Sequence, residues 1–311
     1  MRTAGLQHRP AHRHLHTAAR VMQPNLLHCL LAPLPLAQQP RQAQSQCQQH
    51  QPAPAQPPLH RLHAVRYQCG RRLHHSLQAL DRSLRDLGSR LILRRGPAAT
   101  VLTDIADDCG AETIHAIRHY EPWWRQAEEA LGDRLCLHEG NHLRPPESVR
   151  TGSGGQFRMF SAFYRALLAM LPPEAPTAAP KHMSAPGRWP KSDTLDDWNL
   201  LPTKPNWATG FEDWTPGEAG AAAAIEDFAD AVADYDDARN LPSVEGTSRL
   251  SPHLHHGEIS PRQVWQALKG RGKGVESFRR ELAWRDFTAG LILALPDYAE
   301  KNGRSRFDRL K

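Results

Sequence analysis

No aspartate or glutamate occurs before Asp81, although residues 1–80 carry nine arginines. The formal net charge of +6 therefore misleads. From residue 81 on, 30 basic residues face 33 acidic ones, so the body of the chain is slightly acidic. That excludes a broadly basic nucleic-acid surface, and any contact with DNA must come from a local patch. Cysteine is scarce, with five in 311 residues. Cys29, Cys47 and Cys69 fall in the acid-free stretch, while Cys109 and Cys136 lie in apolar segments and read as buried free thiols. Without a disulfide framework or a metal-ligand spacing, a reducing, cytoplasmic setting and no metal are expected. No run of about 18 apolar residues exists, which excludes a transmembrane helix, and no membrane partner is expected. Residues 21–37 imitate a secretory signal, but Pro24, His28, Pro33 and Pro35 interrupt them, so none is expected.

What is present changes character along the chain. Residues 1–70 are rich in Gln, His, Pro and Arg, lack helical or strand periodicity, and read as a disordered leader. The alternating His12, His14 and His16 belong to that composition. From Arg71 helices and strands alternate. Leu77, Leu80, Leu84 and Leu87 recur at helical spacing before Gly88. Leu91–Leu93 reads as a strand, Ala98–Cys109 as a helix closed by Gly110, and Thr113–Ile117 as a strand. Trp123–Leu131 reads as a helix closed by Gly132, and Leu135–Leu137 as a strand. This order predicts an α/β domain over residues 71–170 with a partial, Rossmann-like parallel sheet, its opening strand replaced by the leader. Gly152–Gly155 is a loop, and Phe157–Met170 an aromatic-rich helix. Residues 171–216, rich in Pro and Trp, read as a linker over the surface. Residues 217–311 read as all-helical: Gly217–Arg239, a helix opened by Pro261, and Phe278–Leu295.

The chemistry concentrates between Tyr235 and Phe287. In Gly246-Thr247-Ser248-Arg249-Leu250-Ser251, hydroxyl, guanidinium and backbone N–H donors stand together. If they open a helix, the set suits a pyrophosphate, and Gly246 would let the backbone approach a ligand closely. On the following helix, Phe278, Glu281, Leu282 and Arg285 share a stripe, with Trp284 beside Glu281. Spacing alone rather favours a solvated Glu281–Arg285 pair with Phe278 and Trp284 in the core. It also allows Tyr235 as a packing residue and Arg239 as a surface charge. His253, His255 and His256 lack Cys or carboxylate partners at ligand spacing and read as ordinary histidines.

Three stretches taken together resemble the DNA photolyase/cryptochrome family. They are Tyr235-x₃-Arg239; Gly246-Thr247-Ser248-Arg249-Leu250-Ser251-Pro252-x-Leu254-x-x-Gly257-Glu258-Ile259-Ser260-Pro261-Arg262; and Glu281-Leu282-x-Trp284-Arg285-Asp286-Phe287. Upstream, Arg118–Trp123 and Thr151–Tyr164 look like the end of the family's α/β domain, and the resemblance runs from about Arg71 to Leu310. It implies that residues 217–311 are the first part of an all-α FAD-binding domain. Tyr235, Thr247, Ser248, Arg249, Leu250, Ser251, Phe278 and Arg285 would contact the flavin. Arg239, Glu281 and Trp284 would contact DNA and the flipped pyrimidine dimer, with Glu281 catalytic. The implied activity is that of a carbon–carbon lyase, the blue-light-driven repair of cyclobutane pyrimidine dimers by reduced FAD. A cryptochrome-type photoreceptor and a non-catalytic fragment are the alternatives.

The family's opening strand and later helices have no counterpart here, so truncation at both ends, incomplete flavin binding and poor repair are expected. Trp123-Trp124 stands where folate-binding members carry Asn-Glu, which leaves the antenna chromophore unassigned. A monomer is expected.

Overall fold

Each helix of the α/β part stops where the backbone can turn left-handed or where a strand begins. The computed structural model describes residues 59–201, 213–298 and 300–309, with side chains from residue 70 onward. The leader reading for residues 1–58, and part of the linker at 202–212, lie outside the described residues. Helix α1 spans Leu59–Asp86, so it starts well before the expected Ser76 and crosses the boundary placed at Arg71. Helix α2 (Ala98–Cys109) ends at Gly110, whose φ of 69° is the left-handed conformation that glycine adopts without strain. Strand β1 (Ile114–Ile117) follows, then α3 (Pro122–Leu131) with its proline in the first turn, then β2 (Leu135–His138).

Strands β1 and β2 pair in parallel with Ile114 opposite Leu135 and Ile117 opposite His138. They form a two-stranded sheet, which α2 and α3 back through Ala106, Ile114 and Leu131. The expected strand Leu91–Leu93 does not form. It is extended, but Leu93 N–H donates to Ser192 Oγ and Leu93 C=O accepts from Asp193 N–H, so no ladder develops. That contact also alters the reading of residues 171–216. They run irregularly, yet Leu200 is buried against Leu73, Leu77 and Leu93.

The helical part consists of α4 (Phe160–Leu168), α5 (Glu218–Ala231), α6 (Tyr235–Ala238), α7 (Ser251–His256), α8 (Pro261–Ala267) and α9 (Lys273–Ala294). Helix α4 is shorter than the predicted Phe157–Met170, and α9 begins five residues before Phe278. Helix α8 opens as expected at Pro261, with a reciprocal cap between Ser260 and Gln263. One core joins Leu143, Val149, Phe163 and Leu167 to Ile225, Phe228, Leu250, Leu282 and Phe287. Helix α9 crosses the turn at Val232–Asp234 closely enough that a Cβ on Gly274 would lie 1.9 Å from the Val232 carbonyl oxygen. Only glycine allows that crossing. The fold is therefore an α/β part with a small parallel sheet, followed by a helical part. Among the described residues, no helix is long and apolar enough to cross a membrane.

Candidate functional site

The stripe predicted on α9 divides by burial. Phe278 and Leu282 are buried, Glu281 and Arg285 are half-buried, and Trp284 is exposed. Phe278 packs edge-on against Tyr235, with ring centroids 5.1 Å apart, and both touch Phe228. Tyr235 and Phe278 are thus aromatic core under the site, and burial pushes the Tyr235 phenol up.

Arg239, one turn after Tyr235, lies over the Tyr235 ring and forms an ion pair with Glu281. This pairing departs from the Glu281–Arg285 helix pair that spacing allowed. Arg285 instead turns inward. Its Nε is buried without a hydrogen-bond partner among the described residues, and burial pulls its pKa down. Beside it, His142 is held down to about 3, first by burial and then by the Arg285 charge. Trp284 stacks on Phe160 of α4 and meets Phe287 edge-on.

The donor loop is less concentrated than the sequence suggested. Thr247 and Ser251 are exposed, whereas Leu250 is fully buried and serves as an anchor. Ser248 Oγ accepts from Leu250 N–H at 3.3 Å. Arg249 adopts a φ of 51° and pairs with Glu245 at 2.6 Å, with its guanidinium 5.7 Å from the Trp214 ring. At Gly246 a Cβ would lie 2.5 Å from Ala238 Cβ, so the glycine is needed for a close approach of the chain to α6. The helix that the loop opens, α7, has only six residues.

Behind this loop lies a polar hub that sequence reasoning missed. Glu258 accepts from Arg72 at 2.8 Å, Ser76 at 2.5 Å and Gly217 N–H at 2.7 Å, and lies 2.6 Å from His253 Nδ1. Burial raises its pKa, but the bonds from His253 and Ser76 and the Arg72 charge outweigh burial and bring it to about 2. The hub ties α1 to α7 and to the turn before α8. Its only signal in the sequence was Glu258 itself, within the Gly257-Glu258-Ile259-Ser260-Pro261 run. Asp286 was missed in the same way. It is fully buried and accepts from the N–H groups of Leu143 and Arg144 at 3.2 and 3.1 Å.

In the α/β part, Tyr120 donates to Glu147 at 2.7 Å, and Arg118 lies near Glu139 and Glu147. Of the tryptophan pair, Trp124 is buried against His119, while Trp123 is exposed. A separate cleft, lined by residues that include Arg94, Arg95, Asp104, Arg188 and Trp189, contains none of the predicted site residues. Cys109 and Cys136 are free thiols but only partly buried. The sequence showed no metal-ligand spacing, but the fold brings the ligand atoms of His115, Cys136 and His138 within 4.8 Å of one another. Strand pairing, which spacing could not reveal, gathers them.

The family model for DNA photolyase matches residues 43–181, so the match begins earlier than Arg71. The deoxyribodipyrimidine photo-lyase of Agrobacterium fabrum is 42% identical over 250 residues, which cover 76% of this chain and 52% of that protein. Its namesake from Streptomyces griseus is 35% identical over 75% of this chain and 52% of its own length. A crystal structure of a bacterial class III photolyase from Agrobacterium tumefaciens matches with a TM-score of 0.74 and 40% identity, over 79% of this chain and 54% of that one. A Synechocystis cryptochrome shares the fold at a TM-score of 0.66 and 20% identity, over 78% of this chain and 54% of that one. The chain spans about half the length of the curated relatives it matches.

Proposed function

The chain belongs to the DNA photolyase family, and from that premise we propose that its activity is the blue-light-driven splitting of cyclobutane pyrimidine dimers in DNA. The observation that carries the reading is on α9. On this helix face, Arg285 is half-buried with its Nε unpartnered among the described residues, Trp284 offers an exposed ring and Glu281 stands half-exposed one turn before them.

A buried N–H left without an acceptor, as at Arg285 Nε, is costly unless a partner meets it, which suits a polar ligand seated against α9. We assign that ligand as FAD, held by Tyr235, Thr247, Ser248, Arg249, Leu250, Ser251, Phe278 and Arg285. The donor set fits. Thr247 and Ser251 are exposed and can turn their hydroxyls to a ligand, and Arg249 exchanges its exposed Glu245 partner for a phosphate at little cost. Leu250, Tyr235 and Phe278 hold these donors in place from the core. When bound and reduced, the flavin supplies the electron that splits the dimer.

The chain's own residues do the rest. A dimer stacked in a duplex cannot be reached and must be extruded. Trp284 covers the flipped base with its ring face. Glu281 is released from Arg239 when that arginine turns to a phosphate, and it then accepts the ring N–H of the base. Arg239 contributes the local positive charge that the acidic body of the chain lacks.

The test is gel filtration of the chain with added FAD, followed by a visible spectrum and a blue-light repair assay against a dark control. Weakly retained flavin that is lost in Arg285→Gln, together with weak light-dependent repair, is expected. Absence of both flavin and repair would overturn the proposal. Flavin binding without repair would favour a photoreceptor.

A further inference from the structure

On the sheet face opposite the core, strand register assembles three metal-ligating side chains. His115 pairs directly with Cys136, so their side chains leave the same face. His138 follows Cys136 by two residues and returns to that face. Ile114 and Ala116 alternate to the buried side, which leaves His115 and its neighbours only partly covered. His115 Nδ1 lies 2.9 Å from His138 Nε2, and Cys136 Sγ lies 3.7 Å from the same nitrogen.

We propose that His115, Cys136 and His138 form a binding site for a divalent transition-metal ion of the zinc class, with a solvent molecule as fourth ligand. Zinc–nitrogen and zinc–sulfur bonds of ~2.0–2.1 and ~2.3 Å put tetrahedral ligand atoms roughly 3.3–3.6 Å apart. The two observed separations bracket that range. Thiolate and imidazole ligands favour zinc-like ions over magnesium or calcium, which take oxygen. Binding releases the Cys136 thiol proton to solvent. Each ring keeps one proton, carried on the nitrogen that faces away from the ion. A sheet of two strands has little stability of its own, so an ion bridging β1 and β2 would stabilise it and fix the register. This site shares no residue with the α9 site.

The test uses the full chain titrated with Co2+, whose bond to a thiolate gives a near-ultraviolet charge-transfer band. The chain carries other histidines and cysteines in residues 1–70, so variants decide the assignment. One equivalent of Co2+ should give the band in the wild type and in the Cys29/Cys47/Cys69→Ser triple variant. Cys136→Ser should abolish it. His138→Gln, at an exposed ligand, should weaken binding by more than the ~10–100-fold that loss of an outer-sphere partner costs. Zn2+ should raise the melting temperature of the wild type but not of Cys136→Ser. A band that survives Cys136→Ser, or no band in the wild type at excess Co2+, would overturn the site.

Discussion

Trp284 lies flat on Phe160, with 3.7 Å between ring centroids and 6° between ring planes. Phe160 is in turn packed against the main core, so the indole is braced from below while 41% of it stays exposed. A ring held in this way has already lost the motion that binding a base would otherwise cost. Base stacking on an aromatic side chain contributes about 1–3 kcal/mol per base. Trp284→Ala should therefore weaken binding of a dimer-containing oligonucleotide roughly 5- to 150-fold, and Trp284→Phe by much less. Fluorescence anisotropy checks this, and an unchanged affinity in Trp284→Ala would remove the stacking role.

The Arg239–Glu281 pair makes a separate prediction. Both side chains are about one third exposed, so the pair contributes at most about 1 kcal/mol to stability. Arg239→Gln should leave the melting temperature nearly unchanged. Its effect should appear in DNA binding, where losing one phosphate contact lowers the slope of log affinity against log salt by about 0.9 on duplex. A large loss of stability with an unaltered salt slope would mean that Arg239 is structural.

How far the sequence reached depended on range. Helix ends were legible because their signals are local: Gly110 after α2, Gly132 after α3, and Pro261 at the start of α8. The α9 stripe was legible in spacing but not in partners, because Arg239 reaches Glu281 from 42 residues away. Leu91–Leu93 shows the reverse failure: its apolar pattern suits a strand, but the segment beside it, Ser192–Asp193, offers only two hydrogen bonds. The Glu258 hub joins residues up to 186 positions apart, and the His115–Cys136–His138 group needs the β1–β2 register. Neither relation exists at sequence level.

The Glu258 hub predicts acid sensitivity. Its folded pKa is depressed to about 2 from an ordinary 4.5. A depressed carboxylate contributes stability that is present above its unfolded pKa and is lost as pH falls through the folded value. Denaturation melts should lose stability between about pH 4.5 and 2, and Glu258→Gln should flatten that limb. Glu258→Ala leaves Arg72 and His253 buried without their carboxylate and should cost about 3–5 kcal/mol. An unshifted denaturation midpoint in Glu258→Ala would show that the hub carries no stability.

Asp286 should act in the opposite sense at higher pH. Burial raises its pKa to about 7 from an ordinary 3.8, against the N–H bonds from Arg144 and Leu143 and the Arg285 charge, which favour ionisation. A raised carboxylate contributes stability that is fully present below its unfolded pKa and is lost as pH rises through the folded value. The wild type should therefore decline in stability between about pH 4 and 7, by at most about 1.4 kcal/mol per pH unit. Asp286→Asn should remove that slope. It should also lower stability at acidic pH, where Asp286 is neutral, because an amide oxygen can accept only one of the two N–H groups unless they converge on it, and the two stability curves should approach or cross towards pH 7. The slope and the offset separate the two effects: loss of the slope identifies Asp286 as the titrating group, while an offset with the slope retained assigns the titration elsewhere.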